Sequence, residues 1–581
     1  MKKLILKLLI IIYKYKYTSI IIKRLILFII TFYYNLLDKE EKKYTFPWSR
    51  NGKIKLIGVP LFIDKDKYSY YAQYYEEAFL IDSIKITENY KYKVEIYKAK
   101  LYNKFKIIKL KFIEESLLPI SFLDNNFLNS NLFIKDNSID IYVNNKKHIL
   151  EGLIQNRYHK LIFNKGDHCT IKTNKNILVG KPISLVQNIT HKKKFILTIF
   201  IDAFSASLFE KYPLEELAPN TYNFFSKGVI FDKCYSNAEF TTTSLSSMST
   251  GKYVHKNNFY HPRIRQTIGT TQKMINQYFK DEDYFTQLIS GNYGQNPSQG
   301  YCQGYDRTIY KNSLKHQEVI YELIDSFRVF KNRDIFTWLS IFDVHHPLNE
   351  LPSFSACRDI KLDGHNYARD ADAKMTKTTF RTYCPKTTER HIAEIKKIDY
   401  HLKFLYDFIE NNFNDDNMLI SFVSDHAASF VIDSKKKGSL LRKEKTNVPF
   451  MIRGTSYKNI RSSEVIENVD ILPTILNSCN IQYNENHIDG KIPKVLGGKG
   501  KDYIFTESIY PGQTYKASIK DDKYECFLEG KALMKDDGKI NLKKYKFEIE
   551  CILTGNKITD NNIINSYKNK FKKILKEKFE L

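Results

Sequence analysis

Apolar and polar residues alternate with a period of two through much of residues 52–190. VEIYKAKLYN (94–103), KFKIIKLKFI (104–113), IDIYVNN (139–145), KLIFNKGDHCTIKT (160–173) and ILVGKPISLV (177–186) each read as a half-buried strand, parted by Asn, Asp, Gly and Lys turns. Such a run predicts a small antiparallel domain of the sandwich type. After Lys192-Lys193-Lys194 the pattern changes. FILTIFIDAF (195–204) is a near-continuous apolar run ending in an acid, the mark of a parallel strand buried on both faces. DIFTWLSIFDVHHP (334–347) and MLISFVSDHA (418–427) repeat it, and HIAEIKKIDYHLKFLYDFIENNF (391–413) between them has helical periodicity. Strands alternating with helices predict an α/β fold with a central, mostly parallel sheet flanked by helices. A small β-rich domain and an apolar amino-terminal segment precede it.

The amino-terminal segment is apolar but interrupted. Residues 4–13 (LILKLLIIIY) and 17–37 (YTSIIIKRLILFIITFYYNLL) are broken by Lys7, Lys14, Lys16, Lys23 and Arg24, so neither is a clean span of about 20 apolar residues. No small-residue cleavage site follows. A pair of basic, apolar helices lying in an anionic membrane interface is the expectation, with the side of the membrane left open.

Charge narrows the choice of partners. The chain of 581 residues has a net charge of +26, with 43% hydrophobic and 14% aromatic residues, ample for a large core. Residues 1–37 hold seven basic residues and no acid, and residues 531–581 hold 13 basic and 7 acidic ones. Half of the excess therefore lies at the two ends. A nucleic-acid enzyme would concentrate it along a working groove, and no nucleic-acid motif is present, so no nucleic-acid partner is expected. The eight cysteines are scattered without metal or redox spacing.

The ends of the apolar runs carry the candidate chemistry. In open α/β sheets, ligands sit beyond the carboxyl ends of the strands. Asp202, then Asp343 with His345 and His346, then Asp425 with His426 occupy those ends. Carboxylates with imidazole suit one divalent ion, zinc or manganese first, with calcium or magnesium as alternatives. The segment NAEFTTTSLSSMSTGKYVHKN (237–257) is dense in hydroxyls. It reads as a helix start whose free N–H groups would favour an anionic substrate.

Residues 194–530 resemble the sulfatase-like members of the alkaline phosphatase superfamily. The likeness lies in order and spacing: FIDAF (200–204), APNTYNFFSKGVIFDKCYSNAEFTTTSLSSMSTGKY (218–253), EDYFTQLISGNYG (282–294) with GYD (304–306), IFDVHHPL (341–348), HIAEIKKID (391–399) with FVSDHA (422–427), NVPFMIRG (447–454), NVDILPTIL (468–476) and IDG (488–490). The resemblance implies that Asp202, Asp425 and His426 bind the metal. It implies that Thr241, ten residues before the Gly of TG, binds it too and is the nucleophile. Lys252 and His255 fall where the family places charge near the nucleophile, His345 falls on a substrate-contacting His, and Lys437 is similar to a substrate-binding Lys. A second metal would need Asp343, His345 or His346 with a later His such as His487.

Departures from the family pattern shape the expected chemistry. The C-x-P-x-R motif of sulfatases reads Thr241-Thr242-Thr243-Ser244-Leu245 here, and a threonine cannot become formylglycine. A threonine nucleophile is the habit of the superfamily's phosphodiesterases, phosphatases and phosphoethanolamine or phosphoglycerol transferases. The resemblance therefore implies a metal-dependent hydrolase or transferase acting on an anionic phosphate ester or phosphodiester, with transfer to a cell-surface glycan or lipid as one outcome. The alternatives are a sulfuric ester hydrolase and a catalytically silent glycan- or metal-binding homologue. The expected boundaries are 1–50 for the membrane segment, 51–190 for the β-rich domain, 191–530 for the catalytic domain and 531–581 for a Lys-rich extension.

Overall fold

The computed structural model describes residues 60–63, 68–74, 93–102, 105–122, 139–150, 157–260, 267–269, 272–312, 314–345, 385–428, 441 and 443–576. The expected membrane segment 1–50, His346 and Lys437 lie outside them.

The β-rich region contributes strands β1 (Pro60–Ile63), β2 (Ser69–Tyr74), β3 (Val94–Tyr102), β4 (Ile107–Lys111), β5 (Ser116–Phe122), β6 (Ile139–Val143), β7 (Lys146–Leu150), β8 (His159–Phe163), β9 (His168–Lys172), β10 (Ile177–Gly180) and β11 (Ile183–Ser184). The chain then enters β12 (Phe195–Ile201), β13 (Val229–Tyr235), β14 (Phe285–Ser290), β15 (Arg307–Tyr310), β16 (Ile335–Ile341), β17 (Met418–Val423), β18 (Asn447–Arg453) and β19 (Ile460–Glu467). Strands β15, β14, β16, β12 and β17 run parallel in that spatial order, and antiparallel β18 follows β17. This is the mostly parallel centre that the apolar runs predict.

Both faces of that centre are covered, which is why its strands are apolar throughout. Phe195, Leu197, Ile199 and Ile201 pack with Leu339, Ile341 and Phe422 on one side. Ile196 and Phe200 pack with Leu288, Phe336, Trp338 and Val423 on the other. Helices α1 (Thr241–Thr250), α2 (His316–Val329), α3 (Pro385–Asn412) and α4 (Ile471–Ser478) complete the layers: α2 and α3 supply Val319, Leu323, Ile398 and Leu405 to the first, α1 and α4 supply Leu245, Met248, Leu472 and Ile475 to the second.

The β-rich region has sandwich character, with one layer that is not its own. The four-stranded sheet β4–β9–β6–β7 buries Ile108, Ile139, Ile141 and Ile171 against Leu118, Ile120, Phe122 and Val179 of β5 and β10. Strands β5, β10 and β3 belong to the central sheet, because β3 pairs antiparallel with β15. Alternation identifies these strands but carries no information about which neighbour they hydrogen-bond. At the other end of the chain, β20 (Ile504–Ser508), β21 (Thr514–Lys520), β22 (Tyr524–Leu533) and β23 (Tyr545–Cys551) form a second antiparallel sheet covered by helix α5 (Asn561–Ile574). The border expected at residue 530 runs through β22. Among the described residues, no helix is long and apolar enough to cross a membrane.

Candidate active site

Register across the central strands builds the site. Ser290 of β14, Ser340 of β16, Phe200 of β12 and Val423 of β17 stand in one row. Two residues past that row, where the pleat returns to the same side, the chain carries Asn292, Asp202 and Asp425. Four neighbouring strands thus release their chains at one level, the place where an α/β sheet presents ligands. A short turn at Asp343–His345 after β16 adds His345, and α1 brings Thr241 as its first residue.

Distances bring five side chains together. Thr241 Oγ1 donates to Asp202 Oδ2 at 3.2 Å and lies 3.2 Å from His426 Nε2. His426 Nε2 is 3.3 Å from Asp425 Oδ2 and 3.7 Å from Asp202 Oδ1, and His345 Nε2 is 3.8 Å from Asp202 Oδ1. Asp202 and Asp425 are fully buried. The Ala203 N–H donates to Asp425 Oδ1 at 3.0 Å. Ala203 makes that bond with φ of +59°, a left-handed conformation costly for a residue with a Cβ.

These residues fit a divalent cation. Asp202 Oδ1 and Asp425 Oδ2 are buried oxygens without a hydrogen-bond partner among the described residues. Leaving such atoms unpaired is costly, and a cation would satisfy both. Contact of His426 Nδ1 with the Ala427 carbonyl at 3.1 Å favours the tautomer with Nδ1–H, which turns the Nε2 lone pair into the site. Burial first, then the Asp425 charge, pushes the Asp202 carboxyl well above its ordinary range, with Asn292 and Thr241 opposing. Two carboxylates sharing a dry site behave this way when nothing positive lies between them. Asp202, His345 and His426 each offer an atom within 4.8 Å of the others. His345, expected as a substrate contact, is therefore also within ligand reach.

The structure does not bring Lys252 and His255 to this centre. Lys252 follows the carboxyl end of α1, about 15 Å along the axis from Thr241 for a ten-residue helix. Its ammonium bonds Gln272 Oε1 at 2.6 Å. His255 Nδ1 bonds Glu507 Oε1 at 2.8 Å, and Glu507 also accepts from Tyr515, so the imidazole is tied to the carboxyl-terminal sheet. The family resemblance implied charge near Thr241 at both positions; the length of α1 lies between them and Thr241. Of the residues expected for a second metal, His346 lies outside the described residues. Asp343 turns its carboxylate to His316 Nδ1 at 2.9 Å, and His487 is exposed.

Some residues at the site carry no signal in the sequence. Asn292 donates to Asp202 Oδ2 at 2.6 Å and accepts from the Gly294 N–H at 2.7 Å. Gly294 lies against Thr241: a Cβ there would sit 2.5 Å from Thr241 Cγ2. Both fall in SGNYG, within a segment that the family likeness had marked without singling out either residue. Glu239, two residues before Thr241, is buried with Lys445. Burial pushes Glu239 up to about 7, opposed by Lys445 and Ser508, and pushes Lys445 down to about 8, opposed by Glu239.

Residues 194–481 match the family model described as Sulfatase. The chain carries a sulfatase-family domain. Its coarse class is that of a sulfatase-family hydrolase, and proteins of this family bind a divalent metal, for which the centre described above offers ligands. No curated sequence matches the chain. Among solved structures, a candidate sulfatase from Bacteroides thetaiotaomicron VPI-5482 is similar at a TM-score of 0.50 and 13% identity, covering 66% of this chain and 93% of that one. A phosphonate monoester hydrolase from Silicibacter pomeroyi aligns at 0.49 and 12%, covering 67% and 96%. An alkaline phosphatase superfamily protein from Vibrio parahaemolyticus aligns at 0.46 and 14%, covering 67% and 88%. At such identities the likeness concerns the fold.

Proposed function

We propose that this sulfatase-family domain cleaves or transfers a phosphate ester or phosphodiester through Thr241. The observation that supports this most is the position of Thr241 Oγ1, on the first residue of α1 and 3.2 Å from both Asp202 and His426. An anionic ester fits here because the amino end of a helix presents unpaired N–H groups and a partial positive charge. Asp202, Asp425, His426 and Thr241 would hold one divalent ion. When bound, it lowers the pKa of a ligated hydroxyl and offsets charge on the transferred group.

The residues divide the work as follows. Asp202 accepts the Thr241 hydroxyl hydrogen and so aims Oγ1. A bond forms from Thr241 Oγ1 to phosphorus as the bond from phosphorus to the leaving oxygen breaks. His345 is the side chain proposed to give that oxygen its proton. Water or an acceptor hydroxyl then attacks phosphorus and passes its proton to His345, while the bond to Thr241 breaks and Oγ1 takes its hydrogen back from Asp202. Burial of Asp202, Asp425 and His426 excludes water from the side of Oγ1 that faces the strands.

The reading is tested with aryl phosphate, phosphodiester and sulfate esters side by side on the purified, metal-loaded protein. Turnover of a phosphorus ester, lost in Thr241→Ala, is the expected result. Turnover of sulfate esters alone would overturn it in favour of a sulfuric ester hydrolase. No turnover of any ester in the metal-loaded protein would overturn it in favour of a silent binding homologue.

A further inference from the structure

The sheet β4–β9–β6–β7 has two unlike faces. Its inner face is the apolar layer already described. Its outer face is set by register: Ile107, Lys172, Asp140 and Ile149 lie in one row, and Lys109, Thr170, Tyr142 and Lys147 in the next. Lys111 continues the alternation along β4, and Ile113 follows it beyond the strand. Ile107 is 59% exposed, Ile113 76% and Ile149 53%. Four lysines stand among these isoleucines against one acid, Asp140, which Lys147 contacts at 2.9 Å. The rows are about 7 Å apart along a strand, and Ile107 and Ile149 lie about 14 Å apart across four strands.

This pattern selects its partner by chemistry. Exposed aliphatic side chains grouped on one face gain from an apolar medium, and the lysines among them gain from anions at its border. Both conditions hold at the headgroup boundary of an anionic bilayer. Tyr142 is covered by Lys172, whose Nζ lies 4.6 Å from its centroid, and Phe105, two residues before Ile107 on the same alternation, is 73% exposed. An anionic glycan would meet the lysines, but it would leave Ile107, Ile113 and Ile149 among hydroxyls, whereas a bilayer takes up the isoleucines and Phe105 together. We propose that the outer face of β4–β9–β6–β7 docks on an anionic lipid surface, with Ile107, Ile113 and Ile149 entering the headgroup boundary and Lys109, Lys111, Lys147 and Lys172 on lipid phosphates. The site is separate from the Thr241 centre and does not depend on the proposed reaction.

The test uses the full chain and vesicles of phosphatidylcholine with or without phosphatidylglycerol. Each lysine at an anionic surface contributes roughly fivefold to partitioning. Lys109→Glu with Lys111→Glu, and separately Ile107→Asp with Ile149→Asp, should lower flotation with phosphatidylglycerol vesicles by about tenfold or more. Unchanged thermal unfolding would show that these exposed positions leave the fold intact. Ile107→Trp gives a local readout: its fluorescence should be quenched by brominated acyl chains. Unchanged flotation of both double variants, or absence of that quenching, would overturn the proposal by assigning any binding to another part of the chain. Retention of the wild type by dextran sulfate but not by vesicles, lost with the lysines, would overturn it in favour of an anionic glycan.

Discussion

At the scale of single residues, the site rests on which atoms lack a partner. Thr241→Ala should lower turnover by roughly a thousandfold or more, as removal of a nucleophile does, while metal content stays near one ion per chain. Thr241→Ser keeps the hydroxyl and should retain measurable turnover. Asn292→Leu removes the donor on Asp202 Oδ2, and outer partners of metal ligands are typically worth 10–100-fold. A metal titration should show a loss of that size with the fold intact. The Asp202 shift has a definite sign. Its folded pKa is raised above the ordinary 3.8, so its contribution to apoprotein stability is present below that value and lost as pH rises through the folded pKa. Thermal melts of the metal-free protein should show this loss, and Asp202→Asn should remove it. Asp202, His345, Asp425 and His426 were legible in the sequence because an acid or imidazole directly after an apolar run is a local signal. Asn292 was not, since an amide after a strand is commonplace. Lys252 and His255 were marked by the family resemblance, and a motif position does not record that a whole helix lies between them and Thr241.

At the scale of elements, the central sheet is extended by a buried ionic lock. Arg307 of β15 bonds Glu95 of β3 at 2.6 Å and lies 3.6 Å from Glu322 of α2. Lys93 bonds Glu322 at 2.8 Å and Lys160 lies 3.1 Å from Glu95. Taking Arg307 away leaves Glu95 and Glu322 with one lysine each and fewer hydrogen bonds, so Arg307→Met should destabilise the protein by about 1–3 kcal/mol in denaturant unfolding. Burial alone would raise the Glu95 pKa. Lys160 and Arg307 outweigh it and hold the group at about 2. Its folded pKa is therefore depressed, and its contribution is present above its ordinary 4.5 and lost as pH falls towards about 2. Acid titration of stability should show that loss in the wild type and a smaller one in Arg307→Met. The strand at 94–102 was legible from its alternation. Its pairing with β15 was not, because the Glu95–Arg307 contact joins residues 212 apart in sequence.

At the scale of the molecule, one centre is assembled from both halves of the chain. Asp202 and Thr241 come from before residue 250, Asp425 and His426 from after 420. An ion bound by all of them binds the folded state alone and must stabilise it. Chelation should abolish turnover and lower the melting temperature, and adding back the preferred ion should restore both. The carboxyl-terminal sheet is tied to the same core: Glu507 holds His255, and Ser508 holds Glu239, two residues before Thr241. That sheet continues through β22 and β23 into the Lys-rich residues 531–581, so the extension is partly built into the fold.

The sequence by itself determined the apolar strands, the α/β class and the acids and imidazoles that end those strands, because each is written in a few consecutive residues. Only the tertiary structure decided the rest. It put β14, β16, β12 and β17 side by side with their ends level, so that separate acids share one dry pocket. It joined β3 to β15, turned Asp343 away towards His316, and left Lys252 and His255 beyond the far end of α1. The physical reason is that hydrogen-bond partners, register and the unpaired oxygens of Asp202 and Asp425 are properties of distant segments brought together, and no local pattern records which segment arrives.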